Sequence, residues 1–184
     1  MMIGAHLLTE NLIFLAIATL FLAVTGWAWK TATPYSLPQP LPGWFRVWFL
    51  SVQTFGIIPP LIALIWGIRQ GYSGAIAIWA AYFAMLGAQI LSEFLTLRQF
   101  RSVVWVMIPY LYVPYRLWQL YEGIALINPN TASWMYILLI GEIVLWSGNY
   151  LLDLAQLPRL FRWETIQDSK DGESLRDNAV TSET

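Results

Sequence analysis

The stretch that decides the fold lies at residues 89–122 and reads QILSEFLTLRQFRSVVWVMIPYLYVPYRLWQLYE. It places Glu93, Arg116, Gln119 and Glu122 in or beside apolar runs that are long enough to cross a lipid bilayer. Because a charged side chain in hydrocarbon is costly, such residues usually face the interior of a helical bundle or an interface. The stretch therefore predicts a membrane bundle with a polar interior. It contains no motif that identifies a reaction.

The composition of the whole chain is that of an integral membrane protein. Of its 184 residues, 58% are hydrophobic and only 11% are charged, and the mean hydropathy is +0.55. A soluble domain usually has about 25% charged residues. The length allows one membrane domain. The net charge of -1 gives no reason to expect nucleic acid as a partner, and the absence of cysteine excludes disulfides and thiolate metal sites.

Five apolar runs have the length of membrane-spanning helices, which need roughly 20 mainly apolar residues. They lie at 7–29, 45–68, 73–97, 103–127 and 132–152. We therefore predict an all-α fold, a polytopic membrane bundle of about five transmembrane helices that occupies residues 1–153.

The basic residues predict the orientation of this bundle. Lys30 and Arg46 flank the first connection, Arg98 and Arg101 lie in the third, and the other side holds only Arg69. Further basic residues follow the last helix at Arg159, Arg162, Lys170 and Arg176. Since cytoplasmic loops carry the excess of Lys and Arg, we predict that the N-terminus is outside and the C-terminus is inside.

The region after the last helix divides into two segments. Residues 154–166 mix large apolar side chains with Arg159 and Arg162, which predicts an amphipathic segment on the membrane surface, in contact with lipid headgroups. Residues 167–184 are polar and have almost no large apolar side chains, which predicts a disordered tail.

Polar side chains recur at helical spacing on three of the predicted helices. Because residues at offsets of three, four and seven share one side of a helix, these stripes predict a shared polar interior. Its candidate residues, for ligand binding or for a buried network, are Gln89, Glu93, Tyr112, Arg116, Gln119, Glu142, Trp146 and Asn149. Such a network either only joins the helices by hydrogen bonds, or binds a ligand or ion, or forms a subunit interface.

Within this network, Arg116 and Glu142 are the best-matched opposite charges. From the rise of ~1.5 Å per helical residue, their depths differ by only ~5 Å. A direct pair would reduce the cost of burying either charge. Glu93 is placed closer to the cytoplasmic surface, where it either reaches the interface or meets Asn149.

Signals for catalysis or for a bound metal cofactor are weak. The only histidine is His6, and the sequence contains no HExxH, CxxC, nucleophile elbow or glycine-rich phosphate loop. Haem or several chlorophylls would need axial ligands, of which histidine is the usual one. We therefore expect a protein that is not an enzyme and has no metal site, and we leave open a bound lipid or a single pigment.

Two family resemblances bear on the function. The segments AQILSEFLTLRQFRSVVWVMIPYLYVPYRLWQLYE and LWSGNYLLDLAQLPRLFRW, which lie between residues 88 and 163, resemble an uncharacterised plant and cyanobacterial family of multi-pass membrane proteins. This resemblance implies a photosynthetic source and a cyanobacterial plasma membrane or a thylakoid membrane. It supplies no catalytic residues.

The second resemblance is to the tryptophan-rich TSPO family, whose members also have five helices and a similar length. Residues 40–44, PLPGW, look like its PPGW entry to the second helix, and Pro109–Tyr110 looks like its late proline–tyrosine pair. The spacing departs from that family, because the pair falls in the fourth helix and not in the fifth. The analogy implies binding of a lipophilic ligand.

These observations favour an accessory or assembly partner of a larger membrane complex. The first resemblance implies that this complex is photosynthetic. Its expected partners are membrane lipids and other membrane subunits. The alternative is a binder or carrier of a lipophilic small molecule, namely a lipid, pigment or tetrapyrrole, in the interior near Arg116 and Glu142.

Overall fold

A computed structural model describes residues 2–30, 43–100, 103–127 and 132–160. Among these residues the chain forms helices and short turns, with no strand. The elements are α1 (Met2–Ala28), α2 (Gly43–Gln70), α3 (Ser73–Gln99), a short 3-10 helix (Val103–Met107), α4 (Ile108–Leu126) and α5 (Ser133–Leu160). The predicted all-α bundle is confirmed.

The α4 helix begins later than the apolar run predicts. The run starts at residue 103, but residues Val103–Met107 form a 3-10 helix and α4 begins at Ile108. Pro109 occupies the first turn of α4. A proline is tolerated there because the first amides of a helix have no intrahelical partner, whereas in the helix interior it would remove a hydrogen bond.

The α5 helix extends beyond its predicted end at residue 152 and continues to Leu160. The first part of the predicted surface segment, residues 154–160, is therefore a continuation of the last helix. The remainder of that segment and the predicted tail at 167–184 lie outside the described residues.

Successive helices run in opposite directions, as contacts along their lengths show. Gly67 of α2 lies against Ala75 of α3, and Gly56 lies against Tyr82. In the same way, α3 and α4 pair Gly74 with Leu126 at one end and Ser92 with Tyr112 farther along.

The α4 helix contacts three other long helices of the bundle. It packs most extensively on α5 and α3, and it also contacts α1 through side chains. The hydroxyl of Tyr110 donates to the carbonyl of Asp153 near one end of α5, and Gly123 lies against Leu139 near the other. Since α4 runs alongside its neighbours from end to end, it crosses the bundle with them.

Four helices in the described part of the chain are long and apolar enough to cross a membrane, namely α1, α2, α3 and α5. The α4 helix does not meet the same criterion, because it carries Arg116, Gln119 and Glu122 within 19 residues. Arg116 and Gln119 are buried, so these polar groups meet protein and not lipid, whereas Trp118 and Tyr121 of the same helix are half exposed or more. The protein is thus a multi-pass membrane protein in which α4 turns its polar face inwards.

Candidate functional site

The buried guanidinium of Arg116 lies at the centre of the polar interior. Arg116 is only 1% exposed. Its guanidinium carbon lies 4.0 Å from the centre of the Trp146 ring and 5.4 Å from that of Tyr82. A cation over the face of an aromatic ring is attracted by the ring quadrupole, and the attraction is larger where water is excluded. The two rings, contributed by α5 and α3, therefore partly compensate the loss of hydration.

The predicted direct pair between Arg116 and Glu142 is wrong. Glu142 is buried, at 2% exposure, but no nitrogen of Arg116 lies within 4.0 Å of its carboxylate. The Trp146 side chain contacts both residues instead, because its face meets the guanidinium while its Nε1 donates to Glu142 Oε2 over 3.1 Å. The two charges share one site at matched depth, and an indole links them.

Two consecutive hydrogen bonds connect Arg116 to a second carboxylate, that of Glu93. Arg116 Nη2 donates to Gln89 Oε1 over 2.7 Å, and Gln89 Nε2 donates to Glu93 Oε1 over 2.9 Å. The cation therefore has a carboxylate on each of two sides, and each lies one side chain away. Of the two alternatives predicted for Glu93, the contact with Asn149 is not seen: Glu93 accepts from Gln89, and Asn149 donates to Asp153 over 3.2 Å.

The hydroxyl of Tyr82 joins three helices. It donates to the carbonyl of Gly56 over 2.7 Å and accepts from Trp146 Nε1 over 2.9 Å, and it lies 3.5 Å from Glu142 Oε2. Gly56 has no side chain at this close approach. A Cβ added there would lie 2.9 Å from Trp146 Cζ2, which is closer than real Cβ atoms come.

A separate polar seam fastens α1 to α4. Asn11 Oδ1 accepts hydrogen bonds from Tyr115, over 2.8 Å, and from Gln119 Nε2, over 2.6 Å. The Phe14 ring stacks on Tyr115 with a centroid distance of 4.0 Å and meets Tyr112 edge-on. Since polar contacts and ring stacking both join the two helices, α1 is held in one register against α4.

The structure brings most of the predicted residues together in one region. Gln89, Glu93, Arg116, Glu142 and Trp146 form the connected network described above. Elsewhere, Tyr112 binds Ser92 over 2.9 Å, Gln119 belongs to the α1 seam, and Asn149 lies with Asp153. Trp118 of α4, in contrast, is 50% exposed and does not belong to the interior.

Sequence reasoning missed several contributors to these contacts, among them Asn11, Tyr82, Tyr115 and Gly56. Asn11 is a polar residue inside the first apolar run, and that signal was present in the sequence. No sequence pattern distinguishes Tyr82, Tyr115 and Gly56 from the other tyrosines and glycines of the chain, because their contacts depend on which helices meet.

The network connects helices through side-chain contacts, and some of its buried polar atoms make no hydrogen bond. The Arg116 Nε and Nη1 atoms and Gln119 Oε1 are buried and make no hydrogen bond to the described residues. Arg116 is one of the largest fully buried side chains among the described residues, together with Trp79, Tyr82, Met85 and Tyr112. Its evident chemical capability is to hold a charge inside the membrane and to join α2, α3, α4 and α5.

A shallow apolar groove lies on the outer surface between α2 and α5. It has a volume of about 380 Å³ and is lined by Pro59, Ile62, Trp134, Ile137 and Leu138. The groove lies on a face that the fold turns towards lipid, where Ile62 and Ile137 are exposed. Its apolar lining suits an acyl chain or a flat hydrophobic molecule.

The fold and the polar interior define the protein as a multi-pass α-helical membrane protein with a buried arginine on α4. No family model, curated protein sequence or solved structure matches the chain.

Proposed function

We propose that this protein is a non-catalytic accessory or assembly subunit of a larger membrane complex, and that it contacts a neighbouring membrane helix through the lipid-facing side of α2. The observation that supports this proposal is an exposed glutamine, Gln53, on that side of the helix. It lies about 15 Å from the start of α2, from the rise of ~1.5 Å per residue. Gln53 is therefore expected within the hydrocarbon region of a bilayer, whose core is about 30 Å thick.

The surroundings of Gln53 make its exposure unusual. Phe49, Leu50 and Phe55 on the same helix are each more than half exposed, as lipid-facing residues should be. The Gln53 amide makes no hydrogen bond within the described part of the chain. An amide without a partner in an apolar medium is penalised by a few kcal/mol, whereas hydrogen bonds between membrane helices stabilise association by about 0.6–2 kcal/mol. A partner helix that offers a polar group would remove this penalty.

The test compares two glutamines on one helix. We expect Gln53→Leu to release the protein from its native complex without unfolding it, because the change removes only an exposed amide. Gln70→Leu is the matched control, since Gln70 is exposed at the last residue of α2, where water can solvate it. The measurement is the native mass of the complex after mild detergent extraction from the source membrane, with a photoreactive side chain at position 53 or 70 to identify the neighbour.

The proposal fails if Gln53→Leu and the wild type have the same native mass, or if position 70 cross-links as well as position 53. A cross-link from position 53 to a second copy of this chain would assign the face to self-association. It would then contradict the accessory role.

The membrane in question is proposed from the sequence resemblance alone. We place the protein in a photosynthetic membrane, either a cyanobacterial plasma membrane or a thylakoid membrane, because residues 89–162 resemble the plant and cyanobacterial family. The partner complex would then be photosynthetic, and fractionation of the source membranes tests this assignment directly.

A second candidate function, binding of a lipophilic lipid or pigment, is favoured by the groove between α2 and α5. Since its lining is apolar, binding there would depend on shape and burial and not on the charges near Arg116. We expect Ile137→Trp to fill the groove and to remove a co-purifying lipid or pigment, as detected by native mass spectrometry and absorption. Ile140→Trp, exposed on the same helix but outside the groove lining, is the control.

A further inference from the structure

We propose that His6, Glu10 and Glu122 form a binding site for one divalent transition-metal ion of the Zn²⁺ type, which fastens α1 to α4. His6 and Glu10 lie one turn apart on α1, and Glu122 comes from the last turns of α4. The site lies near the end of the bundle at which α1 begins, away from the network around Arg116.

The geometry suits a single ion. The potential ligand atoms, one from each residue, all lie within 4.8 Å of one another, and His6 Nδ1 is 3.7 Å from Glu10 Oε2. In a tetrahedral zinc site with bonds of about 2.1 Å, neighbouring ligand atoms are about 3.4 Å apart. Small side-chain rotations therefore bring the three atoms to bonding distance of one centre.

A second observation on Glu122 points to a cation at this place. Its Oε2 atom is buried and has no hydrogen-bond partner among the described residues. Glu10 brings a second carboxylate to the same place. Like charges at this separation repel each other, and a buried carboxylate oxygen without a donor loses its hydration. A bound cation removes both penalties, and no hydrogen bond to Glu122 Oε2 would be lost when the ion binds.

The adjacent seam holds the two helices in the required register. Asn11, next to Glu10, accepts hydrogen bonds from Tyr115 and from Gln119, which lies one turn before Glu122. Gln119 is buried, with an exposure of only 6%. Because this seam is fixed on both helices, Glu10 and Glu122 are brought together before any ion binds, which lowers the entropy lost on binding.

The donor set selects the class of ion. One imidazole nitrogen and two carboxylate oxygens are ligands of Zn²⁺, which often takes three protein ligands and keeps a fourth position for water. Mg²⁺ and Ca²⁺ prefer oxygen ligands alone and more of them. The side chain of His6 is 66% exposed, which leaves a path for the ion from the membrane surface. We therefore expect Zn²⁺ to bind and Mg²⁺ to bind far more weakly.

The experiment uses the full chain, purified in mild detergent through a tag without histidine and stripped of metal with EDTA. Calorimetric titration should give one Zn²⁺ per chain, and Zn²⁺ should raise the unfolding temperature by several degrees, since a ligand that binds only the folded state stabilises it. Mutation of a residue that merely orients a metal ligand already weakens affinity about 10- to 100-fold. His6→Ala and Glu122→Gln, which remove a ligand, should therefore each weaken Zn²⁺ binding more than tenfold.

Asp153→Asn, which removes a carboxylate beside Tyr110 at the opposite end of α4 from Glu122, should bind Zn²⁺ as the wild type does. Unfolding without metal shows whether each variant is folded, and both ligand variants should be no less stable than the wild type under those conditions. Unchanged Zn²⁺ affinity in His6→Ala and Glu122→Gln would overturn the site, and so would equal stabilisation by Mg²⁺.

Discussion

Glu142→Leu is expected to destabilise the bundle by about 3 kcal/mol, the lower end of the cost of removing one partner from a buried charge pair. The change leaves Arg116 with two aromatic rings and Gln89 but without the carboxylate behind Trp146. A guanidinium stays charged in proteins, whereas a carboxyl group can take up a proton. Arg116→Leu should therefore cost less than Glu142→Leu, because the carboxyl that it strands can become neutral.

The double variant separates coupling from simple loss of contacts. If Trp146 transmits the attraction between the two charges, Arg116→Leu should recover much of the stability that Glu142→Leu loses. Glu142→Gln is the matched control, since it keeps an acceptor for the Trp146 indole and removes only the charge. The free energy of unfolding, measured by denaturing detergent in mixed micelles, decides the question. Strict additivity of the two single changes would show that the charges are independent.

Gly56→Ala should destabilise the bundle by about 2 kcal/mol, within the range of about 1–3 kcal/mol for overpacking a core. The new methyl group would lie 2.9 Å from Trp146 Cζ2. Trp146 cannot simply move away, because its Nε1 binds both Tyr82 and Glu142 and its ring faces Arg116. The substitution therefore also disturbs the cation–ring contact.

Gly141→Ala is the control for this prediction, because an added Cβ at Gly141 of α5 meets nothing within 4 Å. Alanine is intrinsically better than glycine inside a helix by roughly 0.5–1 kcal/mol, so this change should be neutral or stabilising. The same detergent-unfolding assay applies to both variants. Equal effects of the two changes would mean that the close approach of Gly56 to Trp146 does not limit the packing of α2 on α5.

Most of the fold could be predicted from the sequence, because membrane helices are limited by bilayer thickness and must satisfy their backbone hydrogen bonds internally. The apolar runs predicted all five helices. The polar stripes predicted which faces turn inwards, since positions such as Tyr112, Arg116 and Gln119 repeat with the helical period and are all buried. The orientation across the membrane remains a prediction from the positions of the basic residues.

The pairing of side chains could not be predicted, because it depends on how neighbouring helices rotate and slide against each other. Depth along the helices matched Arg116 with Glu142, yet the rotation of α5 places the Trp146 ring against the guanidinium. The packing of α5 on α2 makes Gly56 a point of close approach, and the packing of α3 on α2 brings the Tyr82 hydroxyl to the Gly56 carbonyl.

The sequence by itself determined the membrane class, the five helices and their polar faces, because these follow from hydropathy and helical period along one chain. Only the tertiary structure decided which polar groups meet. The α1 seam at Asn11, the cluster of His6, Glu10 and Glu122, and the lipid-facing position of Gln53 all depend on contacts between helices that are distant in the chain. Periodicity gives the direction of a side chain on its own helix, whereas its partner is set by the packing of the whole bundle.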